Sequence, residues 1–181
     1  ERLQQLFSSI NHTLSADVKC SQRGLNLITY AVIPVSKRTG LVEWVQDTKP
    51  MGELYDLGKV PAKEYSSLHP GGDYSKSLKE GNEDEIDKKF QQIIDKIDGN
   101  LMKRALMSTQ PSAQAQFLIR ANFSSSLSAM SASHYILGIG DRHNSNTLIT
   151  DRGLLVGIDF GFAFGKGAWE LPVPELVPFR L

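Results

Sequence analysis

The sequence predicts an α+β fold in which two short β-hairpins flank a mostly helical stretch. Three patterns predict it. A β-branched and aromatic run from Leu25 to Val35 is answered, across a polar turn, by Leu41 to Val45. Apolar residues then recur at three- and four-residue steps through much of residues 86 to 137. Finally, Thr147 to Thr150 and Leu154 to Ile158 are β-rich segments joined by Asp151-Arg152-Gly153, whose glycine suits a tight turn.

Each element follows from local pattern. Leu3, Leu6, Phe7 and Ile10 fall at i, i+3, i+4 and i+7, one face of a helix expected to be under way at residue 1. Ile28, Thr29, Tyr30, Val32, Ile33 and Val35 then favour an extended strand, Ser36 to Gly40 a turn, and Leu41 to Val45 the returning strand. From Gly58 to Asp84 periodicity vanishes among glycines, prolines and polar residues, which reads as a surface loop. Ile86, Phe90, Ile93, Ile94 and Ile97 mark an amphipathic helix with Lys88, Lys89 and Asp95 on its wet side. Leu101 to Met107 reads as a second helical stretch, and Pro111-Ser112 is expected to open a third through Phe117 to Phe123. The run Ser124 to Leu137 holds six serines, yet Leu127, Met130, His134 and Leu137 form a helical stripe that ends at Gly138 and Gly140.

Composition narrows the function. A chain of 181 residues supports one main core, and 40 % apolar with 22 % charged residues is the balance of a globular chain. Twenty Lys plus Arg against twenty Asp plus Glu leave no net charge, which disfavours direct nucleic-acid binding by this segment. No apolar run reaches the roughly 20 residues of a membrane span. The lone Cys20 cannot form an internal disulfide, so a reducing compartment, cytosol or nucleus, is expected. No pattern around Cys20 argues for a reactive thiol, no metal-ligand spacing joins the four histidines, and Gly161 to Gly167 lacks the spacing of a phosphate loop.

Chemistry concentrates at the second hairpin. Asp141, Arg142, His143 and Asn146 precede it and Asp159 follows it, and antiparallel pairing returns the chain to its starting end. Two carboxylates and a carboxamide are therefore expected to converge. Hard oxygen ligands such as Asn146 and Asp159 suit Mg2+, which keeps its other positions for water and phosphate, while Asp141 is left to act as a base. The order matches protein-kinase logic: a catalytic Asp, an Asn five residues later, and a metal-binding Asp in Asp-Phe-Gly, here Asp159-Phe160-Gly161. The bland alternative is a structural polar cluster, but burying two acids at a hairpin mouth without a cation is costly.

Ordinary protein kinases read His-Arg-Asp; here the triplet is reversed. Gly140-Asp141-Arg142-His143-Asn144-Ser145-Asn146 resembles the G-D-R-H-x-x-N catalytic loop of the phosphatidylinositol 3-kinase superfamily. Ser133 to Gly140 and Leu171 to Leu181 carry the resemblance further, to the protein-kinase branch that responds to DNA damage, with weaker similarity at Gln5 to Phe7, Cys20 to Arg23, Gly40 to Val45 and Leu101 to Ala105. Phe162 stands where many relatives carry His.

The resemblance implies a two-lobed protein-kinase-like fold, present in part: residues 1–45 as the end of the small lobe (helix, hairpin and hinge) and 46–181 as the core of the large lobe. It implies a serine/threonine kinase using ATP and Mg2+. Trp44 would pack on adenine, the backbone of Glu43 and Val45 would bond its edge, Tyr30 and Val42 would line the deeper pocket, and Leu148 and Ile158 would lie beneath the base. His143 would help stabilise the transferring phosphoryl group. By the same resemblance the parent acts in the nucleus in double-strand break repair by end joining, on Ser/Thr-Gln sites, meeting the Ku heterodimer and DNA ends outside this segment. The strand bearing the ATP lysine is expected upstream of Glu1. A lipid kinase of the same superfamily and a non-catalytic scaffold remain the alternatives.

Overall fold

The computed structural model describes residues 1–54, 83–95, 99–107, 110 and 112–171. The chain divides into two compact units, Glu1–Met51 with Gln110–Leu181, and Gly52–Thr109. The second unit contains helices α3 (Glu83–Ile94) and α4 (Leu101–Met107), as their apolar spacing predicts. Lys88 and Asp95 are exposed, while Ala105 and Leu106 are buried. Most of the expected loop between Gly58 and Asp84, and Ile97, lie outside the described residues.

In the first unit, α1 (Arg2–Ala16) and the short α2 (Val18–Gln22) precede two separate sheets. Strands β1 (Val32–Pro34) and β2 (Gly40–Val42) form the first hairpin, with Val32 opposite Val42. The extended run therefore yields a strand over only three of its residues. The reason lies in its hydrogen-bond partners. Leu27 N–H donates to Asn11 Oδ1 and Leu27 C=O accepts from Asn11 Nδ2, both at 2.8 Å; Tyr30 N–H donates to Gln4 Oε1 at 3.2 Å. Side chains of α1 satisfy backbone groups that a neighbouring strand would otherwise bind. β-branched composition reads out extended backbone, not the identity of its partner. The returning strand likewise stops at Val42, and Glu43 to Val45 leave the sheet.

The second sheet has the order β3-β4-β5, formed by Thr48–Pro50, Thr147–Thr150 and Leu155–Gly157. The last two are the predicted hairpin; the first was not expected, because Thr48-Lys49-Pro50 is short, polar and ends in proline. Both features suit an edge strand, where a missing N–H costs little and a charge discourages further pairing.

One 24-residue helix, α5 (Ala113–Ile136), replaces the two expected helical stretches. Ser112 caps it by accepting from Ala115 N–H. Its serines remain compatible with helix because Ser125, Ser126, Ser128 and Ser131 donate to carbonyls three or four residues back. Ser126 also accepts from Leu155 N–H at 3.1 Å, and Asn122 donates to the Arg152 carbonyl, so α5 holds the hairpin from below.

The end of α5 aims the chain into the candidate site. Gly138 N–H bonds Tyr135 C=O and Ile139 N–H bonds His134 C=O, a Schellman arrangement with Gly138 at φ +56°. Residues 137 to 140 then pair with 162 to 165 through Phe164 N–H to Leu137 O, Gly165 N–H to Gly138 O, and Gly140 N–H to Phe162 O. A Cβ on Gly138 would sit 2.7 Å from Gly165 N. Gly138→Ala should therefore destabilise the fold by roughly 1–3 kcal/mol. Thermal unfolding checks this: a melting temperature equal to the wild type would mean that the helix end and its partner segment shift without cost.

Candidate active site

The loop before β4 and the turn after β5 bring the predicted polar residues together. Ile158 N–H donates to Asn146 C=O at 3.0 Å, which places Asp159, one residue on, beside the catalytic-loop motif. Asn146 is buried, and its Nδ2 donates to the Asp141 carbonyl at 3.0 Å and to Asp141 Oδ2 at 3.3 Å. The Asp141 carboxylate is thus already engaged by an amide rather than standing apart. These two bonds fix Nδ2 as the end of the amide that faces Asp141. His143 is exposed; its Nδ1 accepts from Ser145 N–H at 3.2 Å, and Nε2 lies 3.9 Å from Asp141 Oδ1.

Asp141 and Asp159 both adopt left-handed backbone, with φ of 59° and 52°. Asp tolerates this region better than most residues, but it needs support from its surroundings. Arg142 supplies that support. Its buried guanidinium donates to four backbone carbonyls: Nε to Gly140 at 2.9 Å, Nη1 to Asn146 at 3.2 Å and to Ile158 at 2.8 Å, and Nη2 to Asp159. One side chain thereby joins the end of α5, the catalytic loop and the turn after β5. Sequence reasoning placed Arg142 in the motif without this role. Its burial is a tertiary property, and only its position between two mechanistic residues hints at it.

Phe160 covers the guanidinium, with the Arg142 carbon 5.0 Å from the ring centroid. Phe7 of α1 and His134 of α5 complete an aromatic cluster around it, with centroids 5.3 and 6.0 Å from Phe160. Gly157 makes room for the cluster, since a Cβ there would lie 2.8 Å from the Phe160 ring. His134, a member of the helical stripe, is packed inside: it is 1 % exposed. Burial, with the nearby Arg142 cation adding to it, lowers its pKa to about 3. Cys20 agrees with its reading as inert, since a hydrogen bond with Asp17 pushes its thiol pKa up.

A cavity of about 850 Å3 opens between the two sheets and α1. Every residue expected at a base site lines it: Tyr30, Val42, Glu43, Trp44, Val45, Leu148 and Ile158. Asp159, Phe160 and Ser145 line it as well, so one end of the cavity meets the catalytic motif. Asp141, His143 and Asn146 stand in the adjoining loop and do not form its wall. Trp44 is 84 % exposed, which leaves its indole face open for stacking. Among backbone groups at this edge, Glu43 N–H is bound to Ala31 O and Val45 C=O accepts from Thr48 Oγ1. Glu43 C=O and Val45 N–H, an acceptor and a donor two residues apart, take no backbone hydrogen bond among the described residues. Gln4 and Lys166 also line the cavity and were missed; Gln4 lies on the polar flank of an apolar stripe, where sequence alone suggests solvent.

Among the described residues no group of three or more His, Cys, Asp or Glu side chains could hold a metal ion. The donors expected here are instead one amide oxygen, of Asn146, and one carboxylate, of Asp159. That fits Mg2+, which takes few protein ligands and completes its shell with water and phosphate.

The buried His134 has a consequence for stability against pH. Its folded pKa of about 3 lies below its ordinary value of 6.5, so between these values the unfolded chain binds more protons than the folded one. Its contribution is therefore complete above about pH 6.5 and lost as pH falls toward 3. Replacing it by Gln should shrink the drop in unfolding free energy between pH 7 and pH 4.5 by roughly 2 kcal/mol, measured in urea. An unchanged pH dependence would mean that the folded imidazole protonates normally.

Comparison with known proteins places these features. The family profile described as phosphatidylinositol 3- and 4-kinase matches residues 1–181. The chain is 35 % identical over 210 residues to the DNA-dependent protein kinase catalytic subunit of Dictyostelium discoideum, covering 100 % of this chain and 5 % of that protein. It is 34 % identical over 183 residues to the serine/threonine-protein kinase tel1 of Schizosaccharomyces pombe, covering 99 % of this chain and 6 % of tel1. The solved structure "FAT and kinase domain of CtTel1" superposes with a TM-score of 0.79 at 27 % identity, over 99 % of this chain and 13 % of that one. The chain thus spans about a twentieth of the Dictyostelium relative's length. With the reversed catalytic triplet, the Asp-Phe-Gly turn and the cavity between two sheets all in place, this chain belongs to the phosphatidylinositol 3- and 4-kinase family, as a partial kinase domain of mixed helices and strands.

Proposed function

We propose that the chain is the catalytic segment of an ATP-dependent serine/threonine protein kinase. The observation that carries this reading is a single cavity with Glu43 C=O and Val45 N–H at one edge and Asp159 at the other. Adenine offers an amino donor beside a ring-nitrogen acceptor, which complements those two backbone groups. Guanine offers the opposite order, a carbonyl acceptor beside an N–H, and fits poorly. Trp44 stacks on the base, Tyr30 and Val42 line the deeper wall, and Leu148 and Ile158 support the base from beneath.

At the other edge, Asn146 Oδ1 and the Asp159 carboxylate would hold Mg2+. When bound, Mg2+ offsets phosphate charge and orients the terminal group. Asp141 accepts the proton of the incoming Ser or Thr hydroxyl as its oxygen bonds the γ-phosphorus and ADP departs. With Nδ1 accepting from Ser145 N–H, the His143 proton sits on Nε2, where it stabilises charge on the transferring phosphoryl group.

The lobe boundary is proposed at residue 45, with 1–45 ending the small lobe and 46–181 forming the large-lobe core. Glu43 to Val45 leave one sheet and Thr48 enters another, which supports a hinge there. Resemblance to the DNA-dependent protein kinase catalytic subunit supports a nuclear role in end joining, with the Ku heterodimer and DNA ends met outside this segment. No helix among the described residues is long and apolar enough to cross a membrane.

Charge separates a protein from a lipid substrate. An inositol phosphate headgroup calls for basic residues, yet Phe162 to Phe179 carry Lys166 against Glu170 and Glu175. The test uses the full-length protein with Mg-ATP, a Ser/Thr-Gln peptide and phosphoinositide vesicles. The expected result is phosphorylation of the peptide alone, lost by a factor of at least ~100 in Asp159→Asn. Phosphorylation of the inositol ring would identify a lipid kinase, and turnover of neither substrate would identify a scaffold. Asp159→Asn activity within about threefold of wild type would overturn the metal assignment.

A further inference from the structure

We infer that Lys166 is a nucleotide-contact residue whose ammonium binds the terminal phosphate of ATP. The inference rests on the nucleotide reading above and deepens it. Lys166 is exposed, lines the cavity and forms no ion pair among the described residues. Asp159 lines the same cavity. An ammonium and a carboxylate that share one cavity without pairing with each other suit a ligand that carries both signs. Mg2+ on a triphosphate is such a ligand, with the cation for Asp159 and phosphate oxygens for Lys166.

The backbone brings Lys166 to the catalytic edge. Residues 162 to 165 pair with 137 to 140, the stretch that runs into Asp141, so the segment carrying Lys166 lies alongside the entry to the catalytic loop. Phe164 and Gly165 are both left-handed, with φ of 58° and 79°, and Lys166 N–H closes the turn on Ala163 C=O at 3.4 Å. Glycine adopts this conformation freely, whereas phenylalanine is strained in it. The Phe164 ring is 63 % exposed, so its burial does not offset that strain. What the strained turn achieves is the placement of Lys166: Ala163, Phe164 and Lys166 line the cavity, and Gly167 to Leu171 do not. The base is assigned to Glu43 to Val45 and the metal to Asp159. A cation on the segment beside Asp141 therefore stands at the end of the triphosphate where the acceptor hydroxyl arrives. The other cation on the cavity wall, Arg2, belongs to the first turn of α1, an element that carries no catalytic-loop residue.

The full-length protein tests this through the dissociation constants of ATP, ADP and adenosine with Mg2+ in wild type, Lys166→Met and Lys166→Arg, with the KM of a Ser/Thr-Gln peptide measured alongside. Met keeps the length of the side chain and removes its charge; Arg keeps the charge. Lys166→Met should weaken ATP about tenfold, the effect of one hydrogen bond to a charged group, while ADP and adenosine change less than about twofold. Lys166→Arg should hold ATP within about threefold of wild type. Unchanged ATP affinity in Lys166→Met would overturn the inference. So would equal losses of ATP and ADP, which would assign the ammonium to an inner phosphate, or a raised peptide KM with ATP binding intact, which would assign it to an acidic group of the substrate. Failure of wild type to bind ATP at all would instead sink the nucleotide reading itself.

Discussion

The site depends on one buried guanidinium. Arg142 gathers the carbonyls of Gly140, Asn146, Ile158 and Asp159, residues from three successive stretches of chain. Removing an arginine from water is expensive, and charge-assisted bonds to carbonyl dipoles together with the Phe160 ring are what offset it here. The planar fork matters as much as the charge. A lysine offers three donors from one point and cannot reach carbonyls spread along two sides of a loop. With the fork in place, Asp141 and Asp159 hold left-handed conformations that neither would choose alone.

Around this clamp the protein uses side chains where a larger sheet would use strands. Asn11 binds both backbone groups of Leu27, and Gln4 binds the N–H of Tyr30, so α1 positions the extended chain leading to β1. That chain and β2 then carry Glu43 to Val45 to the cavity edge. Phe7, farther along α1, reaches Phe160 in the Asp-Phe-Gly turn. Helix α1 therefore touches both the extended chain that leads to β1 and the Asp-Phe-Gly turn, and a displacement of α1 would alter both together.

The parts of this arrangement legible in the sequence were those encoded by residue identity and spacing. Asp141, Asn146 and Asp159 announce themselves because acids and a carboxamide flanking a tight hairpin have a limited set of uses. Trp44 and its neighbours were implied by the family resemblance rather than by any local pattern, and all seven expected base-site residues line the cavity. What stayed hidden depends on tertiary partners. The strand expected from Leu25 was shortened because helix side chains took its hydrogen bonds. The edge strand at Thr48 carries no alternation to detect. The serine run was read as helix from the apolar stripe within it, but its continuity with the helix opening at Ser112 was not. Arg142 and Gln4 are polar residues whose burial no local pattern announces.

The most direct measurement of the central claim is the effect of Arg142→Lys on binding and turnover in the full-length protein, measured separately. If the guanidinium fork places Asp159 and Asn146, turnover of Mg-ATP falls by at least ~100-fold, while adenosine affinity, set at Glu43 to Val45, changes less than about threefold. Turnover within about threefold of wild type would contradict the account, since a single cationic point would then suffice to hold both ends of the hairpin.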